Sequence, residues 1–209
     1  MFTNCQLESP PPRLFALIIG INKYKSPDIP NLVGAVDDAN AMRNYLQKYL
    51  GVPSSRIRDL RDSEATRAAI LKEVEGFSSN SKIKEGDPIL MYYAGHGGSA
   101  NTPEGWPGWE VGNTGKIELL IPYDHSSPLN GNHQHGIPDR TLGALLSHIA
   151  GKKGDNIVRQ NLPCCRSPST NYVTDCHPRL LSFRFWHTKS SESGPHPQGS
   201  RHRCRKCSF

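Results

Sequence analysis

The chain alternates between short runs that are apolar throughout and longer stretches in which apolar residues recur every three or four positions. Two runs, Leu14–Ile21 and Pro88–Ala94, are continuous, as expected of strands that a sheet covers on both faces. Shorter strand candidates lie at Ile57–Leu60 and Glu118–Tyr123, and Gly151–Ile157 resembles the approach to one more buried strand.

Three stretches between these runs have helical periodicity. Asp37 and Asp38 suit the positive end of a first helix dipole, and Thr66 and Asp139 can cap a second and a third helix. The predicted inward positions are Val36, Ala39, Met42, Leu46, Tyr49 and Leu50, then Ile70, Leu71, Val74 and Phe77, then Leu142, Leu145, Leu146 and Ile149. The alternation predicts an α/β fold, a mostly parallel sheet with helices on both faces.

The pattern stops at Val158. The next residues include Arg159, Gln160, Asn161 and Pro163, and a proline with three polar residues is foreign to a central strand. We therefore predict a partial domain over residues 13–157, between a disordered lead-in of residues 1–12 and a disordered tail of residues 158–209.

The balance of charged residues changes at the same point of the chain. Residues 1–157 carry 16 Lys and Arg against 17 Asp and Glu, whereas residues 158–209 carry 9 against 2. The excess lies in a Ser-, Pro-, His- and Arg-rich stretch, which indicates a solvated end more than a nucleic-acid surface. A basic tail that binds nucleic acid stays as an alternative, but we expect neither that nor zinc at Cys204 and Cys207.

Targeting signals are not evident. The first residues lack the apolar stretch of a signal peptide, and no stretch reaches the roughly 18 apolar residues that span a bilayer. Five of the six cysteines lie after residue 157, so no disulfide framework runs through the predicted domain. We expect a soluble protein of the cytoplasm or nucleus, without a membrane partner.

The main candidate for chemistry is His96. It follows a buried strand directly, between Gly95 and Gly97, at the sheet edge where ligands of α/β folds bind. Histidine suits a general base because its pKa lies near neutrality. A histidine at a strand end is nevertheless more often structural.

Tyr93-Ala94-Gly95-His96-Gly97 resembles the histidine motif of the caspase/metacaspase clan of cysteine peptidases (peptidase C14). Further stretches resemble this family in the same order: residues 17–24 (LIIGINKY), 32–39 (LVGAVDDA), 119–124 (LLIPYD) and 137–157. The resemblance implies a caspase-like fold that cleaves protein or peptide substrates.

The resemblance also implies roles for particular residues. In this family a cysteine thiolate attacks the scissile carbonyl, a histidine handles the protons and backbone N–H groups bind the oxyanion. His96 matches the histidine, Gly97 an oxyanion donor, and Asp38 an acid that recognises Arg or Lys in the substrate. Without the resemblance, Asp38 is simply an acid at a helix start. Metacaspases commonly respond to calcium, but no ligands are assigned, and no other cofactor is expected.

The chain departs from the family where the nucleophile belongs. The family continues with an apolar strand ending in Asp-Cys-Cys-His-Ser-Gly, and Cys164-Cys165-Arg166-Ser167 is only superficially similar. Residues 175–188, read one base late, are compatible with the family's sequence. We therefore predict that residues 158–174 are a retained intron followed by a frameshift. The chain is then inactive, truncated before its catalytic cysteine; the alternative is a non-catalytic homologue that binds or regulates partners.

Overall fold

The computed structural model describes residues 12–102, 116–129 and 132–163. In chain order the elements are β1 (Phe15–Gly20), α1 (Ala35–Lys48), β2 (Ile57–Arg61), α2 (Arg67–Ser79), β3 (Ile89–Gly95), β4 (Gly97–Asn101), β5 (Lys116–Leu120), β6 (Pro128–Leu129), β7 (Asn132–His133), β8 (Ile137–Pro138), α3 (Asp139–Lys153) and β9 (Ile157–Pro163). Single turns of 3₁₀ helix precede and follow β2. The α/β architecture predicted from the sequence is confirmed.

The main sheet has four parallel strands in the order β2-β1-β3-β9. Every residue of β1 and of β3 is buried, because these two strands lie between neighbours and under helices. The two continuous apolar runs of the sequence therefore form the centre of the sheet, as predicted.

The helices cover both faces of this sheet. The chain moves from β1 to β2 in one direction across the sheet and from β2 to β3 in the other. Right-handed crossovers therefore place α1 on one face and α2 on the opposite face, where α2 contacts α3. The cap at Thr66 is confirmed, since its hydroxyl accepts a hydrogen bond from the Ala69 N–H at 3.2 Å.

Two details of the helix predictions are wrong. Tyr49 and Leu50 do not face the core but lie beyond the last turn of α1, and the Tyr49 side chain is 78% exposed. Asp139 is the first residue inside α3 and not its cap; Pro138 holds the cap position, and the Asp139 carboxylate accepts the neighbouring Arg140 N–H. Both errors concern helix ends, where periodicity carries least information.

A second, antiparallel sheet lies beyond the end of β3, with the order β4-β5-β8. The sequence predicted only β5 of these strands. β4 and β8 are short, and β4 is rich in glycine and small residues, so neither has an apolar run to reveal it. β6 and β7 pair with each other in a separate two-stranded antiparallel sheet.

The prediction that no strand forms after residue 157 is wrong. β9 pairs with β3 in parallel over its whole length, from Ile157 opposite Ile89 to Pro163 opposite Gly95. It is an edge strand in the described part of the sheet, and Val158 and Arg159 are exposed. An edge strand needs backbone hydrogen bonds but little apolar covering, so its polar residues are compatible with pairing.

Proline also fits at the position that Pro163 takes. The Ile89 N–H donates to the Asn156 carbonyl, so the parallel ladder directs the N–H groups of Val158 and Gln160 towards β3. Residues with odd numbers direct theirs away from β3. Pro163 therefore lacks an N–H where the ladder does not require one, at the last residue of the strand.

The other predictions for the two ends of the chain concern residues outside the described ones. These are the predicted lead-in up to residue 11 and the predicted tail from residue 164 onwards. Across residues 12–102, 116–129 and 132–163, none of the helices combines the length and apolar character that crossing a bilayer requires.

Candidate active site

His96 lies at the carboxyl edge of the main sheet, in the one-residue step between β3 and β4. The strand before it is fully buried, whereas His96 is half-buried and Gly97 is exposed. Loops diverge at this edge and leave room for ligands. The structure thus places His96 at the sheet edge that the sequence pattern predicted.

The backbone of His96 is held on both sides. Its N–H donates to the Tyr24 hydroxyl at 2.8 Å. Its carbonyl accepts the Ile121 N–H at 3.1 Å and the Tyr93 hydroxyl at 2.8 Å. The Tyr24 ring also contacts the imidazole, with ring centroids 5.0 Å apart and planes tilted by 42°. The strand end, the loop after β1 and the segment after β5 therefore all meet at this residue.

The imidazole itself contacts the loop between β1 and α1. Its Nε2 atom lies 2.8 Å from the Pro30 carbonyl oxygen. A carbonyl oxygen only accepts hydrogen bonds, so the neutral ring carries its proton on Nε2. The Nδ1 atom then has the lone pair, and it is the atom that would take a proton from a nucleophile.

The two positions beside His96 are occupied by glycine for different physical reasons. A Cβ on Gly95 would lie 2.7 Å from Tyr93 Cζ and 3.1 Å from the Tyr24 hydroxyl, so no side chain fits there. A Cβ on Gly97 would meet nothing closer than the Leu119 carbonyl oxygen at 3.9 Å. Glycine at Gly95 serves internal packing, whereas the space that a Cβ at Gly97 would take is open to neighbouring segments.

The register of β4 and β5 determines where the Gly97 N–H points. The Ile121 N–H donates to the His96 carbonyl, so His96 and Ile121 form a pair at a hydrogen-bonded position of the antiparallel ladder, although the His96 N–H itself donates to Tyr24. Such pairs alternate with non-hydrogen-bonded ones, and Gly97 opposite Leu120 is of the second kind. The Gly97 N–H therefore points away from β5, off the open edge of the described sheet.

Asp38 lies in the first turn of α1 and is exposed. Gly20 lets this turn approach the end of β1, because a Cβ there would lie 2.7 Å from the Ala39 Cβ. Asp38 is thus at the same edge of the sheet as His96. No hydrogen bond or ion pair joins the two side chains within the described residues, so any joint role would require a substrate between them.

Strand β9 reaches the same edge as His96. Its last residue, Pro163, is paired with Gly95, the residue before His96. Cys164 and Cys165 follow directly in the sequence but lie outside the described residues, as do Cys204 and Cys207. The structure therefore brings a chain segment, though no described thiol, beside the histidine.

Sequence reasoning missed the loop residues that support the site. Asp62, directly after β2, accepts the N–H groups of Asn22 and Lys23 at 2.8 and 2.9 Å. The Tyr123 carbonyl accepts the Lys25 N–H at 2.9 Å. The only sequence signal is an aspartate after a strand, a residue that commonly binds loop N–H groups.

Replacing Asp62 with alanine should therefore destabilise the fold by about 1–3 kcal/mol, because two loop N–H groups lose their acceptor. Asparagine keeps an acceptor oxygen and tolerates the left-handed φ of 40° at this position, so Asp62→Asn should cost far less. Urea unfolding of both variants measures the difference. Equal losses of unfolding free energy would contradict the role of Asp62 as acceptor for the two loop N–H groups.

The Tyr93 hydroxyl has an unusual environment. Burial of the side chain, followed by the neighbouring Tyr24, raises the pKa of Tyr93 well above its usual value. The folded state then keeps a proton that the unfolded chain releases near pH 10, so this stability contribution is complete below about pH 10 and is lost above it. Urea titrations should show stability falling above pH 10, and less steeply in Tyr93→Phe. Identical slopes in the two proteins would refute this.

Metal binding has little support in the described part of the chain. Residues 12–102, 116–129 and 132–163 contain no group of three or more His, Cys, Asp or Glu side chains placed to hold an ion. The calcium response implied by the family resemblance is therefore without a described site.

Two sequence comparisons point to one family, and a comparison with a solved structure concerns the fold. A stretch of 127 residues, 58% of this chain, is 29% identical to Metacaspase-3 of Arabidopsis thaliana, and it spans 33% of that relative's length. A crystal structure of a Geobacter sulfurreducens protein superposes with a TM-score of 0.51 over 72% of this chain and 49% of that one; at 20% identity, this likeness concerns the fold alone. The model of the Caspase domain family matches residues 13–170, across β9 and the two cysteines after it. Because that match covers about three-quarters of the sequence, the chain belongs to the caspase domain family of peptidase C14.

Proposed function

We propose that this domain is the histidine-bearing part of a cysteine endopeptidase of the caspase/metacaspase type. The observation that supports it best is the state of His96, whose Nε2 is bound by the Pro30 carbonyl while Nδ1 is left to act as a base. The exposed Gly97 beside it supports an opening for substrate.

In the proposed reaction, Nδ1 of His96 takes the thiol proton and the thiolate attacks the scissile carbonyl carbon. The resulting oxyanion accepts the Gly97 N–H, which the β4–β5 register directs away from the sheet. The imidazolium then gives its proton to the leaving amine, and an acyl-enzyme forms. Water releases the acid by the same steps. The Pro30 carbonyl steadies the imidazolium through its Nε2 proton.

The thiol has two candidate sources. Cys165 follows β9 in the chain as it stands, and β9 ends beside His96. The other source is the cysteine pair encoded when residues 175–188 are read one base late. We favour the second, because the described start of β9 is exposed where the family has an apolar strand. The chain as it stands is then inactive.

Amplifying the transcript across residues 158–174 tests this directly, together with assays of both encoded chains on peptides ending in Arg, Lys or Asp. We expect a spliced message whose product cleaves peptides and loses activity in His96→Ala. If the unspliced form is the only message, the retained-intron account fails. If that chain is active and Cys165→Ser abolishes it, Cys165 is the nucleophile.

A non-catalytic homologue is the second candidate. The observation in its favour is β9 itself, since the residues after 157 extend the main sheet although the family's apolar strand is absent. A soluble, monodisperse chain from an unspliced message, inactive on every peptide, would favour this function over the peptidase.

Asp38 is proposed to select Arg or Lys in the substrate. Asp37 is a matched control, since both acids are exposed in the first turn of α1 and contribute alike to the helix dipole. In the active chain, Asp38→Asn should lower kcat/KM on Arg and Lys peptides at least about 30-fold, the loss for a charge pair worth about 2 kcal/mol. Asp37→Asn should leave kcat/KM unchanged. Equal losses in the two variants would mean that Asp38 acts only through the dipole of α1.

A further inference from the structure

Two buried tyrosine hydroxyls hold the backbone of His96, one at its N–H and the other at its carbonyl oxygen. Tyr24 and Tyr93 are 8% and 3% exposed. The His96 N–H donates to the Tyr24 hydroxyl at 2.8 Å. The Tyr93 hydroxyl lies 2.8 Å from the His96 carbonyl oxygen and 2.9 Å from that of Ile121.

The direction of these bonds follows from proton counting. The carbonyl oxygens only accept, so Tyr93 donates its single proton to one of them at a time. The Tyr24 oxygen accepts the N–H of His96. Buried hydroxyls therefore bind the His96 backbone at both its N–H and its carbonyl group, in a setting of low dielectric that strengthens each bond.

We propose that Tyr24 and Tyr93 are positioning residues, whose hydroxyls hold the His96 backbone so that the imidazole stays on the Pro30 carbonyl and the Gly97 N–H keeps its direction. Both hydroxyls bind backbone groups, and the Tyr24 ring lies against the imidazole. Each acts through His96, and catalytic geometry is sensitive to displacements of about 1 Å.

The loop that carries Tyr24 is also held by Asp62 and by the Tyr123 carbonyl, but Tyr24 is the residue through which it binds the His96 backbone. Pro30 lies on the same loop, so a shift of Tyr24 also shifts the acceptor of Nε2. The Tyr24 N–H is itself held by the Asn31 side chain at 3.1 Å. Loss of either hydroxyl should therefore change the imidazole as well as the backbone.

The positioning role of these hydroxyls rests on the proposed function, but its test does not require catalysis. In the full chain labelled with ¹⁵N, NMR reports the tautomer of the His96 imidazole and the exchange rate of its backbone N–H. We expect Tyr24→Phe, which removes the acceptor of that N–H, to speed its exchange about fivefold, the factor of one ordinary net hydrogen bond. Tyr24→Phe and Tyr93→Phe should each mix Nδ1–H tautomer into the Nε2–H form.

Tyr92→Phe is the matched control. Tyr92 is equally buried on β3 but points to the opposite face of the sheet. Removing its hydroxyl should therefore lower the melting temperature without altering His96. Unchanged exchange and tautomer in both Tyr24→Phe and Tyr93→Phe would overturn the proposal, as would equal changes in Tyr92→Phe. If these NMR effects appear while the product of the spliced message cleaves no peptide, the peptidase function fails and the positioning role stands.

Discussion

Replacing Gly95 with alanine should destabilise the protein by at least about 3 kcal/mol, a loss that a marginally stable domain survives poorly. The added methyl group would lie 2.7 Å from Tyr93 Cζ and 3.1 Å from the Tyr24 hydroxyl. Tyr93 cannot swing aside, because its ring is buried and its hydroxyl is hydrogen-bonded to two carbonyls. The end of β3 would have to move instead.

Gly97→Ala is the matched control for this substitution. It adds the same methyl group two residues away, where the nearest atom is 3.9 Å distant and φ is not in the left-handed region. Its free energy of unfolding should change by less than about 1 kcal/mol. Urea denaturation of both variants measures the contrast. If Gly95→Ala is as stable as Gly97→Ala, the close packing of Gly95 on the tyrosines is refuted.

Replacing Gln160 with proline should cost about 3 kcal/mol or more, whereas Arg159→Pro should cost much less. The N–H of Gln160 points towards β3, so its loss leaves the carbonyl of buried Met91 without a partner and brings the proline ring against β3. The N–H of Arg159 points away from β3, and so would an N–H at residue 163, where the chain already has a proline.

Hydrogen exchange of the β3 amides, together with urea unfolding, measures this second contrast. Faster exchange of the Tyr93 N–H is expected in Gln160→Pro only, since β9 covers that edge of β3. If neither proline substitution changes either measurement, residues 157–163 contribute no stability to the sheet. Such a result would also favour the interpretation of this segment as non-native.

Much of the fold was predictable because burial leaves a mark on composition. Leu14–Ile21 and Pro88–Ala94 are apolar throughout since β1 and β3 are covered on both faces. β9 was not predictable in this way, because an edge strand is held by backbone groups that every residue has. Tyr49 was misplaced for a related reason, as an apolar period continues past the helix end without any core to face.

The candidate site was likewise predictable from the sequence only in part. The motif around His96 identified the residue and the sheet edge on which it lies, because that motif is local. Pro30, which binds the imidazole, and Tyr24, which binds its backbone, are more than 60 residues away in sequence and have no pattern of their own. Two glycines that look alike in the sequence proved to differ in packing.

Local sequence patterns were enough to predict the central strands, the three helices, the family resemblance and the position of His96, since each of these depends on neighbours in the chain. The folded arrangement was needed to learn which imidazole nitrogen carries the proton, where the Gly97 N–H points and that β9 lies beside β3. Those properties are set by backbone groups of distant segments, and backbone groups are the same in every residue.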